Sequence, residues 1–435
     1  MQVEEILEFY SREYNIPGMI VAEGNNEQVS VYTYGYGDKQ KKTKISEESM
    51  FEIASLSKAF TALLILLYAE KEMLSLDSCI SEYLDGLHIR LKSTGEDLTA
   101  TLRIRDLVYH TSGYTSNSIL EYSAKENIDN SKIIKQINRE YIFFRPGEKY
   151  EYSSMNYVLL QLIIEKISNR SYANEMERMV FKPLGLEHTS ADYEKVLKTG
   201  KLVCGYKLAF LKHRSVKSID HTYEAAAGYI FSDMRDMTRW SRIQLGQVQD
   251  IPEEYKIIVK KSHEMGLDKW INEVSFYAAG WVIYTREKKM IHTGNNPLFS
   301  SIIEIRPQKN SFIVLMQNIN TIQMEKMIKN IRNKKISGKG SKMNFLNWKL
   351  DVLNSMLVIS EILCILSIIM QKYFSVLMMN VFIMIIFGVL VLQYLFCSVI
   401  KKFRIKLILE WGPGSIVWSY FFFGIIVILS ILKRV

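Results

Sequence analysis

"FEIASLSKAFTALLILLYAEKEM", residues 51–73, sets Ser55 and Lys58 one helical turn apart at the head of a long apolar run. From 58 to 72 the run is apolar nearly all round, which predicts a buried helix. Two accounts fit the pair. In one, Ser55 caps a helix start and Lys58 lays its stem on the protein and its ammonium in water. In the other, a nucleophilic hydroxyl stands beside its base. A Ser at a helix N-terminus has an unpaired backbone N–H and the positive end of the dipole to stabilise an oxyanion. A Lys three residues on shares its face, and burial lowers its pKa until it can take the hydroxyl proton.

Ser-x-x-Lys alone is a weak signal, because the chain holds it three times: Ser55–Lys58, Ser398–Lys401 and Ser430–Lys433. The last two sit at the ends of apolar stretches, where a Lys marks an interface.

Outward from the opening stretch, "QVSVYTYGYG" alternates and ends in glycines, as a strand and turn do. "NYVLLQLIIEKIS" (156–168) has helical periodicity. "SFYAAGWVIYT" (275–285) and "SIIEIRPQKNSFIVLMQN" (301–318) read as strands, the second as a hairpin turning at Pro307 to Asn310. Strands at both ends with helices between form an α+β pattern whose terminal segments can share one sheet.

The 435 residues carry a net charge of +9, unevenly spread. Between 322 and 350, eight basic residues face Glu325 alone; from 351 onward, seven face Asp351, Glu361 and Glu410. Residues 1–321 are slightly acidic, so a nucleic-acid partner has no support. The four cysteines (Cys79, Cys204, Cys364, Cys397) have neither zinc-site nor disulfide spacing, and the seven histidines form no HxxxH pair. The N-terminus, "MQVEEILEFYSREYNIPG", is acidic and amphipathic, unlike a signal peptide.

Residues 352–370, 374–400 and 415–432 are apolar runs near the roughly 17–25 residues that span a bilayer. The expected organisation is a folded domain over 1–321, a basic linker over 322–350 and a membrane domain of about three helices over 351–435. Glu361 falls inside the first run; a tolerated inward-facing carboxylate and a functional one fit it equally. With three spans, the basic linker and the loop 401–406 share one side, which the positive-inside rule places in the cytoplasm.

Beyond the opening stretch, the chain carries "YNIPGMIVA" (14–22), "LVYHTSGY" (107–114), "FRPGEKYEYSSMNYVLLQLIIEKISNRSY" (144–172), "FKPLGLEHTS" (181–190), "AAAGYIFSDMRDMTRW" (225–240), "YAAGWVIY" (277–284) and "IHTGNNPLFSS" (291–301) in order. Together these resemble the serine β-lactamase-related hydrolases: class C β-lactamases, low-molecular-weight penicillin-binding proteins, D-aminopeptidases and related esterases. The resemblance runs from about 12 to 320. It implies a β-lactamase/transpeptidase-like fold, an antiparallel sheet flanked by helices with an all-helical subdomain, and acyl-enzyme chemistry needing no metal or cofactor.

By position, the resemblance makes Ser55 the nucleophile, Lys58 its base and Tyr152 the Tyr of a Tyr-x-Asn motif. A phenol serves as a base only where cations lower its pKa; Lys58 and a second positive or polar group nearby are expected to do so, letting Tyr152 shuttle a proton to the leaving group. His292-Thr293-Gly294 matches the family's Lys-Thr-Gly or His-x-Gly. Gly294 is expected to let substrate approach, and the Asn295 N–H to be the second oxyanion donor. The sequence departs from the pattern twice. His292 in place of Lys leaves a pocket cation that depends on pH, and weakens the anchoring of a substrate carboxylate. Ser154 in place of Asn offers one hydroxyl where an amide would grip the acyl side chain of the substrate. Asn156 is assigned to the following helix. "SGY" (112–114) and "PLGLEHT" (183–189) are expected to be structural, and His110, His188 and His221 receive no role.

These readings predict a membrane-anchored serine hydrolase acting on a peptide, an ester or a β-lactam. The competing reading is a catalytically inactive member, a binding or sensing domain on a membrane stalk. Family members acting on cell-wall peptides or β-lactams work outside the cytoplasmic membrane, opposite to the side that charge favours.

Overall fold

The computed structural model of the chain describes residues 1–336 except Asn26, Ile119, 121–127 and Ile322, and then 351–359, 361, 362, 365, 415, 418, 421–423 and 425. They fall into two compact units: Met1–Gly205 with Lys217–Ser337, and Tyr206–Val216 with Gly338–Val435.

The first unit is built on a nine-stranded antiparallel sheet. In chain order the strands used below are β1 (Gly18–Asn25), β2 (Val29–Asp38), β3 (Thr43–Lys44), β4 (Gly205–Ala209), β5 (Lys212–Val216), β6 (Trp270–Asn272), β7 (Ser275–Tyr277), β8 (Val282–Tyr284), β9 (Lys289–Asn295), β10 (Ser300–Arg306) and β11 (Ser311–Gln317). The sheet runs β6-β7-β8-β9-β10-β11-β1-β2-β3. As the α+β pattern predicts, the ends of the domain share it: β1 pairs with β11 (Met19 opposite Gln317) and with β2 (Gly18 opposite Gly35). The expected hairpin at Pro307–Asn310 is present, with Asn310 in the left-handed region (φ 50°). The segment 275–285 is two strands, because Gly280 (φ 83°) breaks it. A Cβ at Gly280 would stand 2.3 Å from the Ala59 Cα.

Side chains alternate across the sheet. Met19, Val21, Ile302, Ile313 and Leu315 face one layer of core. Helix α1 (Val3–Tyr14) lies there, with Val3, Ile6, Leu7, Tyr10 and Tyr14 on its buried stripe. Its start is held by a capping box between Gln2 and Glu5. The helix Met324–Arg332 completes this layer and corrects the expected boundary at 321. Met324, Met327, Ile328 and Ile331 are buried in the same core. The basic residues between them mark the outer face of an amphipathic helix, so the domain continues through the start of what charge presented as a linker.

Two central helices position the site. Helix α2 (Ser57–Glu70) is buried on every face from Ser57 to Tyr68, as its apolar run predicts. Helix α3 (Ser154–Ser168) begins two residues before the expected periodic segment and buries Met155 through Ile164. Ahead of α2, Ala54–Leu56 form a 3-10 turn.

In the second unit, β4 and β5 form a two-stranded hairpin, and residues 351–359 are helical. Among the described residues no helix is long and apolar enough to cross a membrane. The expected spans 352–370, 374–400 and 415–432 lie mostly outside the described residues.

Candidate active site

The helix-cap account of Ser55 does not hold. Neither the 3-10 turn nor α2 has a side-chain cap. The hydroxyl that braces this turn is that of Ser57, which donates to the Ala54 carbonyl at 2.7 Å and accepts the Ile230 N–H at 3.1 Å. Ser55 is left half-buried at the head of the helix, just after Ala54, whose φ of 48° is uncommon for a residue with a Cβ.

Lys58 does not reach water; it is fully buried. Its Nζ donates to Ser55 Oγ at 3.1 Å, to Ser154 Oγ at 3.3 Å and to the Ala227 carbonyl. Burial pulls its pKa from 10.5 down to about 7, against an opposing pull from the Glu224 carboxylate. Near neutral pH the amine is therefore partly uncharged and able to accept a proton.

Tyr152 lies two residues before α3, and Lys58 Nζ stands 5.1 Å from its ring centroid. The phenol oxygen is buried and completes no hydrogen bond among the described residues. Here the sequence expectation is corrected. Burial raises the phenol's pKa, with the Ser55 hydroxyl the opposing influence. The cation lies over the ring face, and Tyr152 stays a protonated donor. Ser154 is also repositioned: its Oγ turns to Lys58 rather than standing free for an acyl group. Asn156 belongs to α3 as expected, accepting from the Ser112 hydroxyl at 2.6 Å and lying 2.9 Å from His110 Nδ1.

The third wall is β9. Its pairing with β8 stops at Val282 opposite Ile291, so the edge at residues 292–295 is open on that side. On the other side Gly294 pairs with Ser301 and Asn295 with Ser300. A Cβ at Gly294 would lie 2.4 Å from Ser301 Oγ, 2.6 Å from the Ile53 carbonyl and 3.0 Å from the Ala54 Cβ. The glycine thus seats the strand directly against the Ser55 turn, a different reason from the substrate approach expected for it. Thr293 is half-buried, and Asn295 Oδ1 is a buried acceptor with no partner among the described residues.

His292 is not a pH-dependent pocket cation. Its Nδ1–H donates to the Thr293 carbonyl at 2.9 Å, leaving Nε2 to accept the Tyr277 hydroxyl at 3.0 Å. Burial, with Lys58 nearby, pushes its pKa down to about 3. Lys58 is the cation that the predicted site residues supply.

Sequence reasoning missed two residues. His110 was given no role, yet it is fully buried with its ring 4.4 Å from Tyr152 and 4.6 Å from Tyr277. Its Nδ1 accepts the Ser153 N–H at 3.2 Å, so the proton is on Nε2. Burial holds it neutral. Tyr277, beneath both histidines, was read only as a strand residue. The available signal was the histidine of "LVYHTSGY" (107–114), just before the "SGY" turn. Among the described residues no group of three or more His, Cys, Asp or Glu side chains is placed to hold a metal.

The arrangement is a hydroxyl with an adjacent depressed-pKa amine, a protonated phenol and an open strand edge. The chain is similar to known proteins. The profile of the family described as Beta-lactamase matches residues 3–335. Protein flp of Staphylococcus aureus (strain COL) is 30% identical over 378 residues, 86% of this chain and 74% of that protein. A class C beta-lactamase from Rhodobacter sphaeroides matches in structure with a TM-score of 0.64 at 20% identity, over 76% of this chain and 98% of that one. The octameric penicillin-binding protein homologue from Pyrococcus abyssi matches with a TM-score of 0.63 at 22% identity, over 80% of each chain.

Proposed function

The chain belongs to the β-lactamase family, and on that premise we propose that it is a membrane-anchored serine hydrolase that works through an acyl-enzyme on Ser55. The observation that carries the reading is the 3.1 Å contact from Lys58 Nζ to Ser55 Oγ, made by an amine whose pKa burial has brought to about 7.

In the proposed cycle, neutral Lys58 takes the Ser55 proton as Oγ adds to the substrate carbonyl. The N–H groups of Ser55, in the first helical turn, and of Asn295, on the open strand edge, receive the oxyanion. Tyr152, protonated and adjacent, gives its proton to the leaving oxygen or nitrogen as the tetrahedral adduct collapses, and regains one from Lys58. Water then repeats the sequence on the ester, releasing acid and free Ser55.

Site charge supports a substrate class. Penicillins and peptides ending in D-Ala-D-Ala carry a carboxylate. The residue standing in the place of the family's Lys is a neutral His292 already engaged by Tyr277, and Glu224 adds negative charge toward Lys58. Uncharged esters and amides suit this site better than carboxylated substrates. The anchoring half of the proposal rests on the apolar runs after residue 351.

The test is covalent labelling of the full chain. A fluorophosphonate is expected to form an adduct on Ser55, lost in Ser55→Ala, and a fluorescent penicillin to label it more slowly. Folded protein that takes neither label is the inactive binding domain instead.

A further inference from the structure

The hairpin β4–β5 breaks a local rule. A two-residue turn with both residues at positive φ favours Asn-Gly. Here it is Phe210 (φ 53°) and Leu211 (φ 60°). Each bulky residue costs roughly 1–2 kcal/mol in that region, so something else selects apolar side chains for the tip. The backbone is held by one carboxylate: Asp351 accepts the Phe210 N–H at 3.1 Å and the Leu211 N–H at 2.7 Å, and also receives the Ser415 hydroxyl. Asp351 itself is fully buried, while Leu211 is 50% exposed.

The helical segment that Asp351 opens is inside out. Asp351, Asn354 and Glu361 are buried, whereas Leu353, Met356 (63% exposed), Ile359 (58%) and Ile362 face outward. Trp418 and Phe421 are exposed in the same unit. A helix in water turns its carboxylates out and its Met and Ile in. The reverse order matches hydrocarbon surroundings, where polar groups retreat inward. On β5, Lys212 and Arg214 point to one side and are exposed just behind the apolar tip. An apolar tip backed by cations is the composition of a segment lying in an anionic lipid interface.

We propose that the hairpin Tyr206–Val216 is a second membrane contact, with the Phe210–Leu211 tip seated among acyl chains, Lys212 and Arg214 on anionic headgroups, and Asp351 clamping the turn to the tail. This deepens the anchoring proposed above and rests on it.

The full chain is reconstituted into phosphatidylcholine–phosphatidylglycerol vesicles, with a photo-crosslinking residue at one position at a time: Leu211→p-benzoylphenylalanine, Met356→p-benzoylphenylalanine, or Ile257→p-benzoylphenylalanine on the hydrolase domain. Irradiation is expected to give lipid adducts, read by mass, at 211 and 356, with at least five-fold less at 257. Adducts at 356 but not 211 overturn the hairpin contact and leave the anchor standing. Adducts at neither overturn both. Equal yields at 211 and 257 show random capture and overturn the contact. Asp351→Asn is expected to cut the 211 adduct several-fold while 356 holds; an unchanged yield overturns the clamp. Where Asp351→Asn does not fold, Ser415→Ala tests the clamp, with a smaller fall expected at 211 and no fall overturning it.

Discussion

His110 grips Tyr152 from both sides of its chain: its carbonyl accepts the Glu151 N–H at 2.9 Å and its Nδ1 accepts the Ser153 N–H at 3.2 Å, while its ring lies against the phenol. One buried residue thereby fixes the backbone, the tilt and the protonation surroundings of the proposed proton donor. The cost is a left-handed backbone at His110 (φ 57°).

His110→Phe keeps a ring of similar shape and removes the acceptor. The buried Ser153 N–H and the Asn156 amide lose a partner, which is expected to cost about 1–3 kcal/mol in urea unfolding. Fluorophosphonate labelling of Ser55 should persist, because Lys58 is untouched, while turnover of an amide falls at least tenfold. Equal losses in both would mean His110 serves folding alone.

Lys58 sets a pH dependence of two kinds. The rate of Ser55 acylation should rise with pH through an apparent pKa of about 7 and then level off. Stability follows the same group. Between about 7 and the ordinary 10.5, the unfolded chain holds a proton that the folded chain has released. Stability therefore grows as pH rises across that window and is lost again as pH falls toward 7. Lys58→Met should abolish labelling and flatten this part of the stability profile, measured by urea unfolding from pH 7 to 10.

Ser154→Asn supplies a carboxamide whose oxygen can accept from Lys58 and whose NH2 can reach an acyl carbonyl. It is expected to raise labelling by a fluorescent penicillin relative to hydrolysis of a p-nitrophenyl ester, by about tenfold. A ratio that does not move would place the substrate acyl group away from Ser154.

Gly294→Ala forces a methyl to 2.6 Å from the Ile53 carbonyl, which is backbone and cannot swing aside. The strand and the Ser55 turn must separate, at an expected cost of about 1–3 kcal/mol. Ser55 labelling should slow more than tenfold; labelling at the native rate would show that the strand edge takes no part.

What the sequence made legible was local. The Ser55–Lys58 spacing needs only the pitch of a helix, and the hairpin at 307–310 only its turn residues. Helix and strand periods located α2, α3 and the terminal strands that share the sheet. What stayed hidden depends on partners far along the chain. The neutrality of His292 comes from burial and from Lys58, far earlier in the chain. The role of His110 comes from residues more than forty positions later. The helix at Met324–Arg332 was concealed by its own solvent-facing lysines, since a count of charges has no sense of direction.

The β1–β11 pairing fixes an order of events during synthesis. Met19 finds its partner only when Gln317 has been made. Until then β1 has β2 on one side and a raw edge on the other, and the strands β6 to β10 are not yet joined to it. The Ser55 turn is translated early and residues 292–295 of β9 late, so most of the domain must be made before the two can meet. A chain stopped short of residue 311 would expose that edge to neighbouring chains.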